Sequence, residues 1–334
     1  MKKKVTLDDI VRLTGLSKYT VSRALSGKPG INEKTRDKVL KAAKELGYFR
    51  KTAAGKGQIL LFIPQSDLVD ATFWMNVVHG IEGEAAKNDY LVYIRTLNAD
   101  EPINTVSCPP DVQGIIYASH KSVEIMRLMP AEIPSILFSL PPEPLADIDT
   151  IGVADYEGGF VIGKRLIEWG HRDFAFYGTL ERPSHKERFR GMQSALLASN
   201  LDFKYIWSFN SATDHRENQM GEIFAELIRE NKMPTAIMCI TNALAASLLW
   251  TLNSLGISIP NEVSLTGFDS DPKFIFDSPI TSIGIDKQEI GVQAFSLLMD
   301  RIQNPNASYK RLNIVPKLIV RKTAGPAPVA RLQD

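Results

Sequence analysis

The chain has 334 residues, 44% of them apolar and 23% charged, with a net charge of +1. That length calls for two or three compact units, and the composition excludes a disordered or fibrous chain. The near-zero charge hides a split, because residues 1–57 hold 15 Lys/Arg against 5 Asp/Glu while the remainder holds 24 against 33. A basic head on an acidic body points to an electrostatic partner for the head alone, with nucleic acid first among the candidates.

The head opens with Thr6 and Asp9 in a capping-box pattern, followed by an apolar helical face of Leu7, Ile10, Val11 and Leu13. Gly15 suits a helix C-cap and Ser17 the next N-cap. A short second helix through about Leu25 turns Val21, Ala24 and Leu25 inward and leaves Lys18, Tyr19, Thr20, Ser22 and Arg23 outward. Asn32 can cap a third helix, with Val39, Ala42, Ala43 and Leu46 inside and Gly47 at its end. Helix, three-residue turn, helix is the arrangement that places a second helix in the major groove. Arg23 suits a bidentate contact to guanine, and Lys18 and Tyr19 suit bases or phosphates. Thr35 and Arg36, opening the third helix, suit a phosphate. Thr6, Ser17, Thr20, Ser22 and Asn32 complete the candidate DNA-facing set. The alternative for any single residue is a polar side chain that merely keeps an exposed helix soluble.

From Gln58 the chain alternates β-rich runs with helical stretches. Ile59–Ile63 is a continuous apolar run, as a strand buried on both faces should be. The pattern predicts a helix over 73–87, strands at 91–94, 114–117 and 135–138, and a helix near 122–129. A second series follows: helix 156–169, strand 174–177, helices near 187–198 and 217–230, strand 236–240, helix 243–255 and strand 262–266. Two blocks of β–α units predict two doubly wound lobes with parallel sheets, and ligands of such folds bind beyond the carboxyl ends of the strands, here between the lobes. Asp155 is expected to cap the helix that starts at Tyr156, and His171 to end it.

Val5–Ile10, Gly15-Leu16-Ser17-Lys18-Tyr19-Thr20-Val21-Ser22-Arg23-Ala24-Leu25-Ser26-Gly27, Lys34–Val39 and Leu46-Gly47-Tyr48 resemble the head of the LacI/GalR family of bacterial transcriptional regulators. Gly170-His171-Arg172, Arg188-Phe189-Arg190-Gly191-Met192, the run from Leu255 to Ser264, Gly267-Phe268-Asp269 and Pro279–Ile283 resemble recurring segments of its body. The resemblance implies a small all-α helix-turn-helix head and a two-lobed, periplasmic-binding-protein-like α/β body, with operator choice made at Lys18, Tyr19 and Arg23. It also implies that the chain returns to the first lobe late and ends by crossing both. The expected domains are 1–48 for the head, 49–57 for a short linker and 58–334 for the body. Lobe 1 takes about 58–154 plus 284–312, and lobe 2 about 155–283 plus 313–325. The linker departs from the family pattern: it is several residues short, holds no leucine for a minor-groove wedge, and carries two glycines that disfavour a hinge helix. Arg50 and Lys51 remain for phosphates.

The family match gives Arg188 the part of holding an effector hydroxyl or carboxylate and Asp269 that of a hydroxyl acceptor. Asn242 matches the asparagine of a family Asn-Asp pair whose aspartate is Ala243 here, which removes one sugar-hydroxyl acceptor. Phe73 and Trp207 are candidates to stack on a ring, or else packing residues. A double-stranded palindromic operator, a homodimer, a carbohydrate-like effector and repression are the implied partners and output.

No dinucleotide, P-loop or nucleophile-elbow motif occurs, and His79, His120, His171, His185 and His215 form no metal spacing, so no catalytic residue, metal or cofactor is expected. Cys108 and Cys239 are expected as reduced thiols. No apolar stretch approaches the ~20 residues of a membrane span, and Asp8 and Asp9 interrupt any signal-peptide core, so no membrane partner and a cytoplasmic location are expected. An enzyme, a transport-type solute-binding protein and a constitutive DNA-binding protein are the rival readings.

Overall fold

The computed structural model describes residues 6–25, 31–46, 57–97, 108–109, 111–138, 147–209, 219–270 and 280–328. The head is three helices, α1 (Leu7–Thr14), α2 (Lys18–Leu25) and α3 (Glu33–Leu46). Local chemistry sets their ends. The Thr6 amide and hydroxyl both donate to Asp9 Oδ2, at 2.8 and 2.7 Å, and Gly15 takes a left-handed φ of 69°. Ser17 Oγ accepts from Thr20 N, and Asn32 Oδ1 accepts from Thr35 N at 2.7 Å. Ile10, Val21, Ala24, Val39, Ala42 and Ala43 form the small core. Leu13 is not part of it: it is 50% exposed, and Thr14 is buried instead with its hydroxyl on Ile10 O. The 49–57 linker lies outside the described residues except for Gly57.

The body has two sheets. The first holds β1 (Gly57–Pro64), β2 (Tyr90–Leu97), β3 (Val112–Ala118), β4 (Ser135–Phe138), β5 (Asp149–Val153) and β11 (Arg311–Ile314), in the order β11-β5-β4-β3-β1-β2, every pair parallel. The second holds β6 (Phe174–Gly178), β7 (Phe203–Ser208), β8 (Ala236–Cys239), β9 (Ser264–Ser270), β10 (Thr281–Gly284) and β12 (Lys317–Ile319). Its order is β12-β10-β9-β8-β6-β7, parallel except at the β12 edge. Both sheets therefore turn back at their first strand, β1 or β6, which is where such folds open a crevice at the strands' carboxyl ends. The chain crosses between sheets three times, after β5, after β10 and after β11.

One helix pair packs closely in each lobe. In the first, α4 (Ala71–Lys87) lies on α10 (Lys287–Gln303); in the second, α6 (Asp155–Glu168) lies on α7 (Pro183–Leu197). Both contacts run through paired glycines. A Cβ on Gly80 would overlap Gln288 O and one on Gly291 would overlap Val77 O; a Cβ on Gly159 would overlap Arg188 O and one on Gly191 would overlap Tyr156 O. The far face of the second sheet is covered by α8 (Met220–Arg229) and α9 (Asn242–Ser254). Only a four-residue helix, α5 (Val123–Met126), stands where a longer one is expected near 122–129, because a 3₁₀ turn at His120–Ser122 precedes it.

β5, β7, β10, β11 and β12 go beyond the strands read from the sequence pattern. β5 carries Asp149 and Gly152 where a buried strand would ordinarily show an unbroken apolar run; Arg301 satisfies Asp149 from α10, donating at 2.6 and 3.1 Å. β7 is an edge strand with its aromatics at alternate positions, Phe203, Tyr205 and Trp207, a period of two that marks a half-buried strand. Asp155 does not cap α6. The N-cap is Ala154, and Asp155 is the first helical residue, drawn inward by an ion pair.

Candidate nucleic-acid interface and ligand site

On the head, α2 presents Tyr19, 69% exposed, with Arg23 Nη1 donating to its hydroxyl at 3.0 Å and the guanidinium 5.5 Å from its ring centre. One turn of helix thus pre-orients a planar donor group beside an aromatic ring. Lys18 Nζ lies 2.9 Å from Asp8 of α1, an exposed pair that a phosphate or base can exchange into with little loss. Ser17 and Asn32 use their side-chain oxygens as caps, Ser17 and Thr20 bond each other at 2.8 Å, and Thr35 and Arg36 open α3. Ser22 is half-buried on α2. Arg50 and Lys51 lie outside the described residues.

In the body, the strand ends bring Arg188, Asp269 and Asp155 together. Arg188, on α7, is buried. Its Nε donates to Asp155 Oδ1 at 2.7 Å, Nη1 to Asp269 Oδ2 at 2.7 Å and to Ile240 O at 3.1 Å, and Nη2 to Asp269 Oδ1 at 2.7 Å. The Phe268 ring lies 4.0 Å beneath the guanidinium. Asp269, next to the last residue of β9, has a φ of 75°, a left-handed backbone uncommon outside glycine, and the fork of Arg188 holds it there. Of five guanidinium hydrogens, four already have acceptors.

Charges in this cluster are set by competition. Burial would lower the Arg188 pKa, but the two carboxylates outweigh it and keep the group charged. Burial pushes the Asp155 carboxyl up to about 6, against the pull of Arg188. For Asp269 burial also acts upward, yet Arg188, Lys287 and His185 together bring it below the usual carboxylate range. His185, buried with Nδ1 3.1 Å from Thr179 O, is pulled down to about 3 by burial and then by Arg188, so its ring is neutral at pH 7.

Asn242 opens α9 beside Asp269's strand. Its Oδ1 is buried without a partner and sits so close to Gly267 that a Cβ there would overlap it. Phe73 lies on the opposite lobe in an aromatic cluster, 5.3 Å from Trp74 and 5.9 Å from Phe138. Trp207 is not brought to this group. It packs on Tyr205 at 5.5 Å and edge-on to Phe224 of α8 at 5.3 Å. His171, just past α6, places Nε2 3.0 Å from Gly325 O.

Three charged groups escaped the sequence reading. Asp155 looked like a cap because an acidic residue before an amphipathic helix ordinarily is one. Asp67, 1% exposed after β1, has Oδ1 3.4 Å from both Lys121 Nζ and Arg182 Nη2, so it joins the two lobes. Lys287, at the start of α10, is buried with its ammonium 5.7 Å from the Phe73 ring centre. Their partners stand far off in the sequence, and no local pattern encodes them. Among the described residues no group of three metal-type side chains occurs, and no helix is long and apolar enough to cross a membrane.

Residues 6–51 match the family model described as bacterial regulatory proteins, lacI family, and residues 164–324 match a periplasmic binding protein-like domain. The HTH-type transcriptional repressor PurR of Haemophilus influenzae is 24% identical over 333 residues, covering 95% of this chain and 98% of the relative. The ribose operon repressor of Haemophilus influenzae is 27% identical over 335 residues, with the same coverage of each chain. Among solved structures, the transcriptional regulator CelR in complex with cellobiose superposes with a TM-score of 0.67 at 22% identity, covering 96% of this chain and 100% of that one. The lac repressor dimer bound to operator and the anti-inducer ONPF gives 0.65 at 19%, covering 96% and 99%. These structures share the two-lobed fold and its helix-turn-helix head.

Proposed function

Because the chain belongs to the lacI family of bacterial regulatory proteins, and is on that ground a DNA-binding transcriptional repressor and not an enzyme, we propose that it binds a palindromic operator as a homodimer under control of a small-molecule effector held between its lobes. The observation that carries the DNA side is the exposed Tyr19–Arg23 pair on α2. Arg23 reads guanine, Tyr19 and Lys18 read neighbouring bases or phosphates, and Thr6, Ser17, Thr20, Ser22, Asn32, Thr35, Arg36, Arg50 and Lys51 position the head on the backbone.

One head spans only a few base pairs, so specificity in a genome favours two heads on a symmetric site. Apolar side chains left exposed on the body support pairing: Leu91, Tyr93 and Ile94 on the edge strand β2, and Trp250, 75% exposed, on α9. The effector site is the cluster of Arg188, Asp269 and Asn242 facing Phe73 across the lobes. A ligand there changes how the lobes meet, at contacts such as Asp67–Arg182, and so alters head spacing with a coupling of about 1–3 kcal/mol.

Selection of genomic fragments by the purified protein at several salt concentrations tests the DNA reading. One recovered palindrome supports it, whereas sequence-independent fragments that vanish steeply with salt replace it with phosphate gripping alone. A constitutive DNA-binding protein is the second reading, favoured by the hold of Arg188 on both Asp269 oxygens. Ligand-dependent thermal stabilisation separates the two, since a ligand at 100 times its Kd adds about 2.7 kcal/mol.

A further inference from the structure

Lysine is among the residues least often buried, and burying its ammonium without a counter-ion is strongly unfavourable. Lys287 is 4% exposed. Among the described residues it makes no ion pair; its ammonium lies 5.7 Å from the ring centre of Phe73, on the same lobe. From the second lobe it feels Asp269, whose pKa it helps to lower, but both Asp269 oxygens already accept from Arg188. Asp286, which precedes it, turns its carboxylate to cap α10 by accepting from Glu289 N at 3.0 Å. Asp155 is likewise engaged by Arg188. The ammonium therefore lies against Phe73, which packs with Trp74 and Phe138, and acts on Asp269 of the other lobe, while each carboxylate named here has another donor.

The same inventory bears on what a ligand has to bring. Carboxylates are strong acceptors for the hydroxyls of a neutral sugar, and here Asp269 and Asp155 already give acceptor sites to Arg188 while Ala243 holds none. Among the described residues, Asn242 Oδ1 is a buried acceptor without a partner, and Asp155 accepts from Arg188 through Oδ1 alone. Facing them as donors are the Lys287 ammonium and one remaining hydrogen on Arg188. We propose that Lys287 binds an anionic group of the effector, so that this chain's ligand is an acidic small molecule, a carboxylate or a phosphate ester, and not a neutral sugar. The proposal rests on the reading of the inter-lobe cluster as the effector site. Charge-assisted bonds from a lysine and an arginine to one anion suit either acid, and the aromatic cluster at Phe73 suits the ring or chain that carries it.

The test measures thermal unfolding of the full chain with matched probes: D-ribose against D-ribose 5-phosphate, D-glucose against D-gluconate and D-glucose 6-phosphate, and D-galactose against D-galacturonate. Titrations follow on wild type and Lys287→Met. The expected result is that at least one acid raises Tm while its neutral partner does not, with affinity at least about tenfold weaker in Lys287→Met. Ligand-free Lys287→Met should melt no lower than wild type, because methionine fills the volume without a buried charge; a collapse of the variant alone would assign Lys287 to the fold and overturn the proposal. A carboxylate-only or phosphate-only response identifies the anion. A neutral sugar that stabilises wild type and variant equally overturns the anion site and leaves the sensor reading standing. A panel in which no acid outperforms its neutral partner also overturns it, and if operator binding is then unchanged by every probe, the sensor reading falls as well.

Discussion

Arg188 joins three places through one side chain: α6 by Asp155, the residue after β8 by the Ile240 carbonyl, and β9 by Asp269. Arg188→Met removes the common partner of two buried carboxylates, and loss of about 3–5 kcal/mol in urea unfolding is expected. The carboxylates themselves titrate in opposite senses. Asp155 is raised in the folded chain to about 6, so between pH 4 and 6 the folded state binds more protons than the unfolded one. Its contribution is present in full below pH 4 and is lost as pH rises through 6, with a slope of at most about 1.4 kcal/mol per pH unit. Asp269 is lowered, so its contribution is present above pH 4 and is lost below that as the carboxylate protonates. His185, held down to about 3, contributes the opposite slope over the same window, so the expected signature in unfolding measurements is a difference. Asp155→Asn should make stability rise more steeply from pH 4 to 6 than in the wild type, since the amide oxygen still accepts from Arg188 but does not titrate. An unchanged slope in the variant would move the titration elsewhere.

At the scale of elements, the glycine contact between α6 and α7 sets the distance over which Arg188 meets Asp155, because Gly159 packs against the Arg188 carbonyl itself. Exposed mid-helix glycine ordinarily costs about 0.5–1 kcal/mol relative to alanine. Gly83→Ala, on an open face of α4, should gain that amount. Gly191→Ala should instead lose about 1–3 kcal/mol, because overpacking outweighs the propensity gain, and should weaken ligand binding by shifting Arg188. Thermal unfolding of the two variants side by side checks the difference in sign. The contrast also shows what the sequence made legible. The head's caps, Thr6, Gly15, Ser17 and Asn32, act within three or four residues and were readable as such. Strand β1, apolar without a break from Ile59 to Pro64, was equally plain. Arg188 and Asp269 were reached through family resemblance, but the ion pair to Asp155, the burial of Lys287 and the strand β5 depend on partners 33 or more positions away. Local periodicity carries no trace of such contacts, and Trp207, singled out as an aromatic, was in fact aligned by the alternation of an edge strand.

The molecule as a whole is a basic reading head joined to two lobes of one topology, with exposed apolar side chains on β2 and α9 that suit the proposed pairing. Sedimentation of the full chain at micromolar concentration without DNA should give a dimer. Trp250→Glu should shift it toward monomer with helix content unchanged, and a monomeric wild type would refute side-by-side pairing. The three crossings between sheets carry a different consequence, one that concerns how the protein is made. Translation releases the head first, and it has its whole core by residue 46. Neither sheet has all its strands until β11 and β12 emerge, the last ordered strands in the chain. A growing polypeptide thus holds a finished DNA-reading unit on two open-edged half-lobes for most of its synthesis. Any premature stop before Arg311 would leave both lobes unclosed at once, and such a fragment would keep a folded head with no finished body to govern it.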